Sequence, residues 1–197
     1  MTITENRSRQ VRAVHTDFST REDENGLHIV GYFAVFDSVY QIAPGQTESV
    51  APGAFSRALR ENDIRALVNH DTTLVLGRNR ANTLTLREDD HGLWGDVLIN
   101  PNDQDAMNLY QRVKRGDVDQ CSFGFDWSPD GESTDVRADG SIHWTLTDVD
   151  LREVSPCTFP AYRETNIQAR TAQRDEIRAR RLDAWKTQQK ARLQHGT

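Results

Sequence analysis

The order of apolar and polar positions divides the chain into short stretches. Residues 27–36 (LHIVGYFAVF) are rich in aromatic and β-branched side chains and predict a strand, with Gly31 at a bulge or close backbone approach. A loop with Pro44 and Gly45 follows. Within residues 48–61, Pro52 suits a first helical turn, and Phe55 with Leu59 and Ala54 with Ala58 fall at i,i+4 spacing. That pattern predicts a short helix ending near Asn62. Ile64, Ala66 and Val68 form one face of a strand that runs into Asn69-His70-Asp71, and a second short strand over 73–76 ends at Gly77. Residues 83–87 and 93–99 flank a turn at 88–92 and predict a hairpin. After the helix-start cluster at 100–103, Ala106, Leu109, Tyr110 and Val113 form a helical stripe closed by Gly116.

Residues 118–127 predict a further strand. The stretch 128–140 is a polar connection with turns at Asp130-Gly131 and Asp139-Gly140. Strands follow at 141–146 and near 148–155, and Pro156 and Pro160 are expected to stop the sheet. From Thr165 the chain is rich in Gln, Arg and Ala without Gly or Pro until Gly196, which predicts a polar helix or partly disordered arm. There is no internal repeat. Many strands with two or three inserted helices predict an α+β or β-barrel-like domain.

Composition sharpens this picture. A length of 197 residues suits one domain plus an extension, and a hydrophobic content of 36% leaves part of the chain outside a core. No apolar run reaches the roughly 18–20 residues of a membrane helix. Residues 1–10 are polar and lack a signal peptide's apolar stretch, so a cytosolic protein is expected. Cys121 and Cys157 are too few for a disulfide scaffold and have no zinc-ligand spacing. The net charge of −6 is uneven. Residues 165–197 hold eight Lys/Arg and three Asp/Glu, a net +5, and residues 1–164 carry −11. An acidic body excludes a protein that wraps nucleic acid.

Alternation along 121–126 places Cys121, Phe123 and Phe125 on one face and Ser122, Gly124 and Asp126 on the other. Ser122 beside a glycine has clearance for a substrate carbonyl, or is an edge-strand serine facing water. Cys121 turns inward as a small core residue. His70 sits at a strand end, where a near-neutral pKa suits proton transfer, and His143 is its competitor among the histidines. Glu153 could hold a histidine in one tautomer, or pair with an arginine. With Leu151 and Ser155 on its face and Arg152 and Val154 on the other, its orientation stays open. A metal site from His70, Asp71, His91 and Asp96 matches no compact ligand motif.

Five segments occur in order: GYFAVF (31–36), ESVAPGAFxxxL (48–59), LVNHDxxxxLG (67–77), QCSFGF (120–125) and LxEVSPCTFPAY (151–162). Together they resemble the prohead (procapsid) maturation serine proteases of tailed phages, the HK97-type group, over roughly residues 11–165. The resemblance implies His70 as general base, Ser122 as nucleophile and Glu153 as third member, with His143, Asp71, Asp148 and Asp150 as replacements for it. The herpesvirus assemblins, thought to share the fold, use a second histidine there. Arg152 is a candidate oxyanion donor.

The same resemblance implies a mainly antiparallel β-barrel ringed by a few helices over 11–164, after a polar segment at 1–10 and before a basic arm at 165–197. It implies an endopeptidase acting without metal or cofactor inside the procapsid, in the host bacterial cytoplasm. Its expected substrates are the scaffolding segment of the major capsid protein and the protease itself, with self-association open and no nucleic acid or membrane partner. The alternatives are a non-catalytic scaffold or assembly protein with the same fold, and a metal-dependent hydrolase using His70 and His91. Pro156 and Cys157 replace the more usual aliphatic residues of the family pattern.

Overall fold

A computed structural model describes residues 9–15, 18–159 and 163–194. The chain divides into two units, residues 1–161 and 162–197. In the first unit, β1 (Arg9–His15), β2 (Ser19–Asp23) and β3 (Gly26–Val35) precede a hairpin of β4 (Tyr40–Ala43) and β5 (Gln46–Val50). Helix α1 (Ser56–Glu61) leads to β6 (Arg65–Val68) and β7 (Asp71–Arg78), then to β8 (Leu84–Glu88) and β9 (Gly92–Ile99). Helix α2 (Gln104–Arg115) precedes β10 (Gln120–Asp126), β11 (Glu132–Val136), β12 (Ile142–Leu146) and β13 (Asp150–Cys157). The second unit is α3 (Arg163–Gln194), which carries exposed Leu182 and Trp185 and an Arg180–Glu176 ion pair at i,i+4.

The strands form three sheets, ordered β1-β10-β13-β6-β7, β2-β3-β9-β8 and β11-β12-β5-β4. The domain is mostly strand with few helices, as the α+β reading expects. The sheets do not close into the expected barrel among the described residues, and the β12–β5 and β13–β6 pairs are parallel. Side chains from all three sheets and both short helices fill one core. Its centre is aromatic: Phe55 meets Phe123 edge-on at 5.2 Å, and Phe123 stacks on Phe125 at 5.6 Å. Helix α2 contributes its predicted stripe, Ala106, Leu109, Tyr110 and Val113, all buried. Asp103 caps its first amides and Gly116 closes it in the left-handed region, at φ 84°.

Several expectations fail. Residues 46–50 are strand, and the predicted helix shrinks to 56–61. Ala51-Pro52-Gly53 is a turn, with Gly53 at φ 86°, and the helix start is instead held by Glu88 from β8. Glu88 accepts from the Phe55 amide at 2.9 Å and from the Ser56 hydroxyl. The polar connection at 128–140 contains β11. Pro156 lies inside β13 rather than ending it. By that point β13 has run past the Glu153–Val154 pairing with β6, so the missing proline N–H removes no ladder bond there. The Pro156 carbonyl still accepts from the Asn69 amide at 3.1 Å.

One buried ion pair joins two sheets. Arg12 of β1 and Glu48 of β5 are 4% and 2% exposed, and the guanidinium engages both carboxylate oxygens. Arg12 also donates to Gln10 at 2.6 Å and lies over the Phe125 ring at 5.4 Å. Removing one partner strands the other charge in a dry site. Glu48→Ala is expected to cost about 3–5 kcal/mol in urea unfolding, and the apolar double variant Arg12→Met/Glu48→Met to recover most of that loss.

Candidate active site

The group of interest is built on the β6–β7 turn, β10 and β13. Val68 pairs with Asp71, so Asn69 and His70 alone form the turn. Both have left-handed backbone, at φ 50° and 63°, the pair of positive angles that a type I′ hairpin turn requires. Asparagine and histidine tolerate this region better than most residues. The turn is fastened onto the end of β13. The Asn69 amide donates to the Pro156 carbonyl, the Asn69 side-chain oxygen accepts from the Thr158 amide at 2.9 Å, and the His70 amide donates to Ser155 Oγ at 3.2 Å.

Directly opposed residues of an antiparallel pair project to the same face. Ser122 faces Ser155 and Gly124 faces Glu153, which puts these four positions together. Strict alternation would also place Leu151 with Glu153. Instead β13 carries an extra residue, Arg152, between Glu153 opposite Gly124 and Leu151 opposite Phe125. This bulge sends Leu151 to the core side with Phe125 and resolves the orientation of Glu153. The Glu153 carboxylate lies flat over Gly124, where a Cβ would meet Oε1 at 2.1 Å. The space that the glycine leaves open is therefore filled by the chain's own carboxylate.

Glu153 is 1% exposed and needs partners. Its Oε1 lies 2.7 Å from His70 Nδ1, and its Oε2 accepts from Ser155 Oγ at 2.6 Å. Together with the His70 amide bond to Ser155, these contacts close a ring of hydrogen bonds around the histidine. An ionised carboxylate only accepts, so Nδ1 carries the proton and Nε2 keeps its lone pair in the neutral ring. Among the described residues, His70 Nε2 is buried with no hydrogen-bond partner. This arrangement can take up a proton at Nε2 and stabilise the imidazolium through Glu153. Ser122 is fully buried on a central strand, not at a water-facing edge, and its hydroxyl donates to the Arg12 carbonyl at 2.6 Å.

The other candidates are held elsewhere. His143 has its ring nitrogens 2.8 Å from Thr47 Oγ1 and 3.0 Å from Ser49 Oγ, in the β5–β12 sheet. Asp71 turns back to the Thr73 hydroxyl and amide, and these bonds hold its carboxyl below its ordinary range. Asp148 pairs with Arg57, and Asp150 with Asn62 and Arg152. Arg152 reaches Asp126 and Asp150, away from the His70 group. His91 packs on Tyr32, and Asp96 pairs with His28 and Arg21, so the four residues of the supposed metal site do not assemble. Cys121 is buried and donates to the Tyr32 carbonyl. Burial pushes the Cys157 thiol up to about 12, and the Glu153 charge adds to the effect. Ser155 was the residue the site needed and the role assignments lacked. Its signal was present, since it lies two positions beyond Glu153 on the same strand face.

Comparison with known proteins identifies the family. Residues 16–180 match the profile of the Caudovirus prohead serine protease family. The prohead protease of Enterobacteria phage HK97 is 30% identical over 142 residues, covering 71% of this chain and 60% of that relative. The chain thus spans less than two thirds of that relative's length. Among solved structures, the bacteriophage T4 capsid assembly protease aligns over 73% of this chain and 96% of its own, with 12% identity and a TM-score of 0.43.

The flat carboxylate makes a direct prediction. Gly124→Ala should push Glu153 off His70, cost about 1–3 kcal/mol, and abolish the downfield Nδ1–H proton signal expected for wild type by NMR. An unchanged signal in a folded Gly124→Ala protein would mean that the carboxylate has another resting place.

Proposed function

As this chain belongs to the Caudovirus prohead serine protease family, we propose that it is a serine endopeptidase of head maturation with Ser122, His70 and Glu153 as its triad. The observation that carries this reading is His70 itself. Its Nδ1 is bound to a buried carboxylate and its Nε2 is buried and, among the described residues, unpartnered, on the sheet face that also bears Ser122. Ser122 Oγ attacks the scissile carbonyl while Nε2 takes its proton. The resulting imidazolium, steadied by Glu153, then protonates the leaving amine. Water repeats the sequence on the acyl-enzyme and releases the new carboxyl terminus. Ser155 acts as a positioning residue, because it holds both the Glu153 carboxylate and the backbone of the turn.

The proposed substrates are the scaffolding segment of the major capsid protein and the protease itself, cut inside the procapsid as it assembles in the host bacterial cytoplasm. Enclosure in a shell raises the local concentration of enzyme and substrate and so favours a protease with modest intrinsic affinity. The basic α3 supplies a docking element for acidic scaffold helices. No described helix is long and apolar enough to cross a membrane.

Co-expression with capsid protein tests the triad by mass spectrometry. Ser122→Ala should leave the capsid protein and the protease itself uncut, and normal processing by that variant would sink the proposal in favour of a non-catalytic assembly protein. Glu153→Gln should fold and lower kcat by roughly four orders of magnitude, because the amide favours the wrong tautomer. Deleting residues 165–197 should retain peptide cleavage and remove the protein from proheads. Normal packaging of the truncated chain would refute docking through the arm.

A further inference from the structure

Ser122 and His70 belong to one site but do not touch hydrogen to lone pair. The Ser122 hydroxyl gives its hydrogen to the Arg12 carbonyl at 2.6 Å, while His70 Nε2 is buried without a partner among the described residues. A buried acceptor left unsatisfied costs free energy, and the Ser122 hydroxyl on the same sheet face is engaged elsewhere. The competing acceptor is a main-chain oxygen of β1. We propose that β1 is an intramolecular latch, which keeps the protease latent until the strand leaves β10. The inference rests on the assignment of Ser122 as nucleophile.

Three further observations fit a latch. First, β1 is the outermost strand of its sheet and pairs with β10 alone in the sheet order, so its release breaks one ladder and leaves the β10–β13–β6–β7 core of the site paired. Second, Ser122 is 0% exposed, so a substrate carbonyl cannot reach it while the surroundings stay as they are. Third, the residue that captures the hydroxyl also anchors the strand. Arg12 offers its carbonyl to Ser122 and its guanidinium to Glu48 and Gln10. Movement of β1 therefore breaks the ion pair and frees the nucleophile in one event. A carbonyl oxygen only accepts, so in the latched state Ser122 cannot pass its proton to His70.

The register supplies a lock. Val14 lies directly opposite Cys121, and opposed antiparallel positions fall within disulfide reach. Full-length Val14→Cys should form a bridge to Cys121 on oxidation, measured by loss of free thiols. The bridged protein should lose labelling of Ser122 by a fluorophosphonate and lose capsid-protein cleavage, and both should return on reduction. In wild type, amide hydrogen exchange should show β1 losing protection once Ser122 is labelled, a readout that needs no variant. Equal labelling of bridged and reduced protein overturns the latch and leaves the triad standing. So does unchanged β1 protection in the labelled enzyme. Failure of the bridge to form in folded protein contradicts the β1–β10 pairing and removes the latch as well. A wild-type enzyme that cleaves capsid protein without ever labelling at Ser122 overturns the nucleophile assignment, and the latch with it.

Discussion

A carboxylate buried on the face of a β-sheet must be fully partnered, and the arrangement around Glu153 follows from that requirement. Leaving such a charge unpaired costs several kcal/mol, more than most single contacts supply. Glu153 meets it with a histidine on one oxygen and a serine on the other. The opposed strand has no side chain at Gly124, because any Cβ would occupy the carboxylate's place. The bulge at Arg152 turns the glutamate to this face while Leu151 stays in the core. The left-handed turn brings the histidine over the sheet and donates its backbone amide to Ser155. Each of these features looks minor alone, and each fails without the others.

Much of this was readable in the sequence where local physics decides. The stripe of α2, the β8–β9 hairpin and the inward face of Cys121, Phe123 and Phe125 follow from periodicity and capping residues. The placement of His70 at a strand end follows from the run of apolar residues before it. Features set by partners distant in sequence were not readable. Nothing near residues 46–50 announces that Glu48 will pair with Arg12 in the core. The start of α1 depends on Glu88, thirty-odd positions away, so Pro52 misled. The bulge breaks the alternation used to orient Glu153, and pairing register, not residue type, creates it. Pro156 is tolerated in its strand only because the neighbouring strand has ended.

The site residues came from two sources of unequal reach. Alternation alone left Ser122 as either a nucleophile or an inert surface serine, and left Glu153 unoriented. The family resemblance implied the roles, and in the structure His70 meets Glu153 while His143, Asp71, Asp148 and Asp150 bond elsewhere. Those four residues are each satisfied by their own neighbours. A carboxylate already held by an arginine or a threonine has little left to offer an imidazole.

The two-residue turn at Asn69-His70 has a further consequence. A histidine carried on a long loop would need ordering before each use, and its position would wander. Here it sits in a two-residue turn closed by the Val68–Asp71 pair and fastened to the end of β13, while the β6–β7 ladder shifts register just beyond it. A slip of one residue would carry the imidazole to the opposite face of the sheet, far from Glu153. A copy folded out of register therefore lacks the His70–Glu153 contact. Under the proposed function, fidelity of folding becomes fidelity of cutting.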